Sequence, residues 1–337
     1  MKTSVIDIGQ GRSPAQLKQA LAVAFGQDEP SLVIISTTGS AGISKRVELS
    51  TTAIATSAQL SNTALGAAPG DIWSLLLPTD HIAGLNVLAR AINLGTGVVD
   101  QNQQADFTAI VPTQLHRALT GDLNLRKHLQ GCKAVLVGGA ALSITNEERA
   151  QSLGINVVTT YGMTETSGGC VYNKVALPTI SVAINENGLI KIKGPVLAQG
   201  YESQEALWAE NFSDGWFTTS DLGEIREGKI FISGRADDVI ISGGINVSLI
   251  AIENELASNF PELKFLATSI PDSEWGAMLC LLADGEIDQN KMNEVLQKKL
   301  GREFVPKELL IVKEIPRIGI GKPDRVQAAK LFQVKQR

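Results

Sequence analysis

Through the first half of the chain, short apolar runs alternate with longer segments whose apolar residues recur at helical spacing. SLVIIS (31–36) reads as a buried strand and TTAIATSAQLSNTAL as the helix after it. DIWSLLLP reads as a strand and GLNVLARAINLG as a helix. FTAIVPTQLHRAL, KAVLVGG, ITNEERAQSLG and INVVTTYG continue the alternation. Repeated strand–helix order predicts an α/β domain of parallel strands joined by helical crossovers. After residue 170 the pattern changes. GLIKIKG, WFTTSDLGEI and KIFISGR are short and punctuated by turns, which predicts antiparallel sheet. SLIAIENELASNF then predicts an amphipathic helix opened by Ser248. Strands KFLATSI and MLCLLAD, helix NKMNEVLQKKL and strand ELLIVKEI complete a small α+β unit. GRADDVIISGG interrupts the apolar pattern and is the best candidate boundary.

Composition narrows the class. A chain of 337 residues suits two domains, and 44% hydrophobic with 19% charged residues describes a soluble globular protein. A net charge of −5 argues against a broad nucleic-acid surface and leaves room for a local basic pocket. Cys132, Cys170 and Cys280 are far apart and suggest neither a disulfide framework nor a zinc ribbon. MKTSVIDIGQ lacks the apolar stretch of a signal peptide, and no run approaches the roughly 18 apolar residues of a membrane span. The expectation is a cytoplasmic protein with reduced thiols and neither a membrane nor a nucleic-acid partner.

Candidate chemistry begins at STTGSAGISKRVELS (36–50), read as a loop between a strand and a helix. Two residues separate Gly39 from Gly42, and Lys45 follows Gly42 by three, so this is not a Walker A motif. Its glycines, hydroxyls and lysine still suit an anion, and a plain surface turn remains the alternative. YGMTETSGG (161–169) follows a strand, where α/β folds bind ligands. Thr164 could donate to a phosphate and Glu165 could hold Mg²⁺, or the stretch could be a polar turn. Asp221 in TTSDLGEI suits either an Asx turn or a ribose diol. Arg235, Asp237 and Asp238 precede a double glycine, as in a hairpin or a hinge. Lys322 sits in the glycine turn GIGKPDR, where a lone lysine is ordinarily solvated. His116 and His128 read as surface residues, and His81, just after a strand, is the histidine carried forward. There is no Gly-x-Ser-x-Gly, Gly-x-Gly-x-x-Gly or His-Glu-x-x-His.

The order of these motifs says more than any one of them. STTGSAGISK, DHIAG, VGGAAL, YGMTET, TSDLGEI, GRADDVIISGGINVS and GIGK, from residue 36 to about 325, together resemble the acyl-adenylate-forming superfamily. The resemblance implies a large N-terminal domain, 1–236, and a small mobile C-terminal domain, 237–337, hinged at Asp237. It implies a two-step reaction as well. A carboxylate attacks the ATP α-phosphate to give an acyl-adenylate and pyrophosphate, and a thiol, usually coenzyme A, then displaces AMP.

Roles follow by motif. Ser36, Thr37, Thr38, Gly39, Ser40, Gly42 and Lys45 would hold the β- and γ-phosphates. Gly138, Gly139 and Ala140 would border the adenine, with Tyr161 and Gly162 on its other side. Thr164 would contact phosphate and Glu165 the Mg²⁺. Asp221 would accept the ribose hydroxyls beside Arg235, and Lys322 would bridge the acid and the α-phosphate. Gly243 and Gly244 would turn inward for thioester formation.

Within the superfamily, DHIAGLNVLAR, FTAIVPTQLHRAL and YGMTETSGGCVYN resemble the o-succinylbenzoate–CoA ligases of menaquinone biosynthesis in their short actinobacterial form. The acid side would then comprise His81, Arg90, Ser167 and Gly168. Arg90 would receive the carboxylate that is not activated, or else stand on the helix surface. Another acyl acid–CoA ligase, a stand-alone adenylation domain loading a carrier protein and a degraded adenylate-binding protein are the alternatives, and a homodimer is left open. The chain departs from the pattern at Ala41 (Thr or Ser expected), Ser44 (Pro) and Arg46 (Gly). The lost hydroxyl would weaken phosphate binding, while Arg46 would add charge at the loop's edge. The small size puts the CoA tunnel in doubt more than the adenylation centre.

Overall fold

The computed structural model describes residues 5–9, 11–38, 44–273, 275–318 and 322–335. The chain divides into two compact units, Met1–Gly39 with Ile43–Thr219 and Glu224–Phe231, and Ser40–Gly42 with Ser220–Gly223 and Ile232–Arg337.

The first unit holds the predicted α/β alternation. Its main sheet has the order 175–176, 168–172, 157–163, 134–137, 107–110, 73–74, 98–99. The five strands Val157–Met163, Ala134–Val137, Phe107–Ile110, Trp73–Ser74 and Val98–Val99 are parallel. Phe107–Ile110 and Ala134–Val137 are buried at every position, which is why they read as continuous apolar runs rather than alternations. Helices Ile82–Asn93, Pro112–Thr120, Leu123–Gly131 and Ile144–Ser152 make the crossovers.

One expectation needs correcting. SLVIIS does not join the parallel sheet of the crossovers. Leu32–Thr38 runs antiparallel to Ser44–Ser50 in a separate sheet that Val5–Asp7 and Gly200–Tyr201 flank. Most of 36–50 is therefore a β-hairpin, not a loop between strand and helix. Val47 and Leu49 are fully buried while Arg46 and Glu48, which alternate with them, are half-exposed, so the return strand carries a period of two. Its last residue, Ser50, caps the helix Thr51–Ala64 by accepting from Ala53 N at 3.0 Å.

A further sheet, in the order 181–184, 189–193, 216–226, 212–213, follows, with Lys229–Arg235 paired to Trp216–Arg226. The second unit is the predicted α+β arrangement. Ser248 Oγ accepts from Ala251 N and opens the helix Leu249–Asn259. Phe265–Asp272 and Gly276–Ala283 pair antiparallel, and Glu308–Ile311 joins them in parallel. All three cysteines are free and buried, and burial pushes each thiol up to about 12. Among the described residues no helix is long and apolar enough to cross a membrane.

Candidate active site

At the C-terminal end of Val157–Met163 the chain enters a tight turn, Thr164–Thr166, and reverses into Gly168–Tyr172. The reversal needs left-handed backbone at Ser167 (φ 49°) and Gly168 (φ 92°). A side chain at Gly162 would overlap the carbonyl of Gly168, and one at Gly168 would overlap the Asn86 amide. Hydrogen bonds complete the clamp. Thr166 Oγ1 takes Met163 N and donates toward Gly168 O, while Ser167 O receives Ser57 Oγ at 2.8 Å and Asn86 Nδ2 at 2.6 Å. Ser167 itself is fully buried, with its hydroxyl donated to Val196 O. The turn is thus rigid, and the half-buried Glu165 projects from a fixed base.

Glu165 Oε1 accepts a 2.8 Å hydrogen bond from the Tyr201 hydroxyl, and Ala198 N donates to Glu165 O. Tyr201 pairs with Val47 in the hairpin's return strand, and Lys45 Nζ stands 4.8 Å from the centre of the Tyr201 ring. The structure therefore brings together Lys45 and Glu165, assigned from motifs 120 residues apart in sequence (165 − 45). Glu165 Oε2 accepts no hydrogen bond among the described residues, and no group of three metal-ligating side chains exists among them. One carboxylate oxygen, completed by phosphate oxygens, suits a hard octahedral cation such as Mg²⁺.

Ser36 and Thr37 face Arg46 and Lys45 across the hairpin, and Thr37 Oγ1 reaches Lys45 O at 3.5 Å. Gly39, Ser40 and Gly42 lie outside the described residues, as do Ala41 and the side chains of Thr38, Ser44, Asp237 and Lys322. Arg46 is a correction. Its guanidinium is engaged by Asp7, at 2.9 Å, and by Glu202, so two carboxylates offset the charge expected at the loop's edge.

Gly138–Ala140 leave the neighbouring parallel strand, and Gly138 lies against Thr160, one residue before Tyr161. This sets the two segments expected to border adenine side by side. Thr164 is buried in the turn. His81 precedes the helix Ile82–Asn93, with Nε2 3.9 Å from Asp80 Oδ1, and Gly84 packs so closely that a side chain there would overlap Pro78 O. Arg90, on the same helix, is not a surface residue. It is 4% exposed, lies 4.9 Å from the Trp73 ring centre and donates to the Tyr172 hydroxyl at 3.3 Å. It has no carboxylate partner among the described residues, and its Nε has no acceptor. His128 is another correction: it is half-buried, with Nε2 2.8 Å from Ser74 Oγ, and burial lowers its pKa.

In the second unit, the buried Asp221 pairs with Arg235 at 3.0 Å. Gly243 and Gly244 (φ 58° and 80°) form the two-residue turn of a hairpin between Val239–Ser242 and Ile245–Ser248. A Cβ at Gly243 would stand 2.8 Å from the Trp275 ring. Lys322 lies in a short hairpin, opposite Ile318.

Little in the sequence marks Tyr201. The only signal, an aromatic after glycine in AQGYES, is shared by many edge strands.

The model of the AMP-binding enzyme family matches residues 9–193. A probable 2-succinylbenzoate–CoA ligase of Mycobacterium tuberculosis is 33% identical over 93% of this chain and 88% of that protein. A 2-succinylbenzoate–CoA ligase of Lactococcus lactis is 28% identical over 88% and 70%. Among solved structures, the o-succinylbenzoate coenzyme A synthetase MenE of Bacillus subtilis, in complex with ATP and magnesium ion, superposes with a TM-score of 0.78. That match has 23% identity and covers 88% of this chain and 69% of the other.

Proposed function

Since this chain belongs to the AMP-binding enzyme family, we propose that it is a cytoplasmic acid–CoA ligase that activates o-succinylbenzoate with ATP and passes the acyl group to coenzyme A. The observation that carries the choice of acid is Arg90. A buried guanidinium without a carboxylate partner is costly to hold in the folded chain. An acid with a second carboxylate supplies the missing charge, and the 33% identity to a probable 2-succinylbenzoate–CoA ligase agrees with that substrate.

The first step joins an oxygen of the acid's reactive carboxylate to the ATP α-phosphorus and breaks the bond to pyrophosphate. In the second, the coenzyme A thiol attacks the acyl carbonyl and AMP leaves. Ser36–Thr38, Gly39, Ser40, Gly42 and Lys45 hold the terminal phosphates. Gly138, Gly139, Ala140, Tyr161 and Gly162 enclose the adenine, Asp221 with Arg235 holds the ribose, and Thr164 donates to phosphate. Glu165 would hold Mg²⁺, which when bound offsets the charge of the triphosphate. His81 lines the acid site, the buried Ser167 and Gly168 shape it from behind through the turn they hold, and Arg90 binds the acid's other end. Lys322 bridges acid and α-phosphate, stabilising charge as the fifth bond to phosphorus forms. Residues 237–337 turn about Asp237 between the two steps, and Gly243–Gly244 serves the second.

The test is a panel of carboxylic acids assayed for pyrophosphate and for CoA thioester, with and without coenzyme A. Turnover confined to o-succinylbenzoate is the expected result. Turnover with benzoates or fatty acids but not with this acid would move the protein to another acyl-CoA ligase. Pyrophosphate release without thioester would point to an adenylation domain that loads a carrier.

A further inference from the structure

We propose that Tyr201 is a positioning residue for both parts of the phosphate site, aiming Glu165 at the metal ion with its hydroxyl and steadying Lys45 with its ring. The proposal rests on the reading above, which assigns Glu165 and Lys45 but gives Tyr201 no part.

Packing alone explains the ring. Tyr201 is 2% exposed and meets Trp208 edge-on, with centroids 5.2 Å apart. Phenylalanine would satisfy that contact equally well. The hydroxyl is what needs a reason, because a buried phenol without a partner is destabilising. Its partner is Glu165 Oε1 at 2.8 Å, and the bond fixes the carboxylate's rotation so that Oε2 is the oxygen presented to a cation.

The ring's second contact follows from strand register. Tyr201 lies opposite Val47, and Lys45, two residues away, shares that face of the hairpin. Its ammonium lies 4.8 Å from the ring centre, close enough for the ring's negative face to hold it in one place. Flanking bonds seat the segment on both sides. Glu202 N donates to Arg46 O and Ala198 N to Glu165 O, each at 2.8 Å. One short stretch, 196–202, therefore connects the hairpin to the Thr164–Thr166 turn, with Tyr201 as its side-chain bridge.

The experiment uses the full chain and its Tyr201→Phe and Tyr201→Leu variants. Equilibrium binding of a fluorescent ATP analogue is titrated with Mg²⁺, beside thermal unfolding. Tyr201→Phe should bind the metal-free nucleotide as the wild type does, while the Mg²⁺ concentration at half-effect rises about tenfold, as expected for one lost bond to a charged group. Tyr201→Leu should in addition weaken metal-free binding by roughly three- to tenfold, through Lys45. A wild-type Mg²⁺ midpoint in Tyr201→Phe would overturn the proposal, and so would an equal loss with and without Mg²⁺, which marks packing alone. If Tyr201→Leu does not fold, Tyr201→Phe decides. Failure of the wild type to bind the nucleotide would instead overturn the proposed function itself.

Discussion

Arg325 Nε donates to Asp238 Oδ1 at 2.6 Å, which ties the chain just after Lys322 to the residue just after Asp237. The same guanidinium engages Glu253 and donates to Ala267 O at 2.8 Å. The Lys322 hairpin, the helix Leu249–Asn259 and the strand Phe265–Asp272 are thereby held as one body with the segment proposed as the hinge. Arg325→Met would leave the buried Asp238 and the largely buried Glu253 without their counter-charge. It should cost about 3–5 kcal/mol, measured by denaturant unfolding, and Arg325→Lys should cost less because it keeps the charge and loses the planar fork. Equal stability in the methionine variant would show that the triad does not hold the unit together.

Lys322 has a separate expectation. If it acts only while the α-phosphate is attacked, Lys322→Ala should slow pyrophosphate exchange by about 10²–10³-fold, the usual loss for one donor that stabilises transition-state charge. Conversion of supplied acyl-adenylate to thioester should be spared. Equal loss in both half-reactions would refute the assignment.

What could be read from the sequence depended on how far apart the interacting residues lie. The buried runs FTAI and AVLV were legible because both faces are covered, and Ser248 because its capping partner is three residues away. The hairpin strand Ser44–Ser50 was hidden because Lys45 and Arg46 open it, so its alternation looked like loop polarity. Glu165 and Lys45 were legible as motif residues. What joins them is not, because Tyr201 reaches Lys45 only through strand pairing between segments distant in sequence, and reaches Glu165 through a side-chain hydrogen bond across 36 positions. Helical spacing alone leaves Arg90 between two readings, because it does not say which face of the helix is covered. Trp73, Tyr172 and the helix Thr51–Ala64 cover it.

Arg46 stands where the family pattern has glycine, and its two ion pairs predict a structural role. Both pairs are partly exposed, so each contributes about 0.2–1 kcal/mol. Arg46→Gln should lower the melting temperature by a few degrees and leave ATP binding unchanged. A marked loss of ATP affinity would mean that the charge does reach phosphate. The pH dependence carries a sign. The Arg46 hydrogen bond holds Asp7 below the ordinary aspartate value, so its stabilisation is complete above that value and lost as pH falls through the lower, folded one. The stability gap between wild type and Arg46→Gln should therefore close below about pH 4. A gap that persists far below that value would assign it to packing and not to the ion pairs.

Arg90 gives the sharpest separation between binding the nucleotide and binding the acid. It is buried between Trp73 and Tyr172, on the helix that His81 opens, and no described carboxylate meets it. Arg90→Lys keeps the charge but shortens the reach and loses the fork that a carboxylate matches. It should raise KM for o-succinylbenzoate by about 10- to 100-fold, the range for a lost bond between charged groups, and leave KM for ATP unchanged. Arg90→Met, apolar and of similar length, should raise KM at least as much without lowering stability, because it removes a buried charge rather than isolating one. A monocarboxylic benzoate should then be used no worse by the variant than by the wild type. Parallel rises in both KM values, or a benzoate penalised as heavily as the dicarboxylate, would place Arg90 in the scaffold and not against the acid.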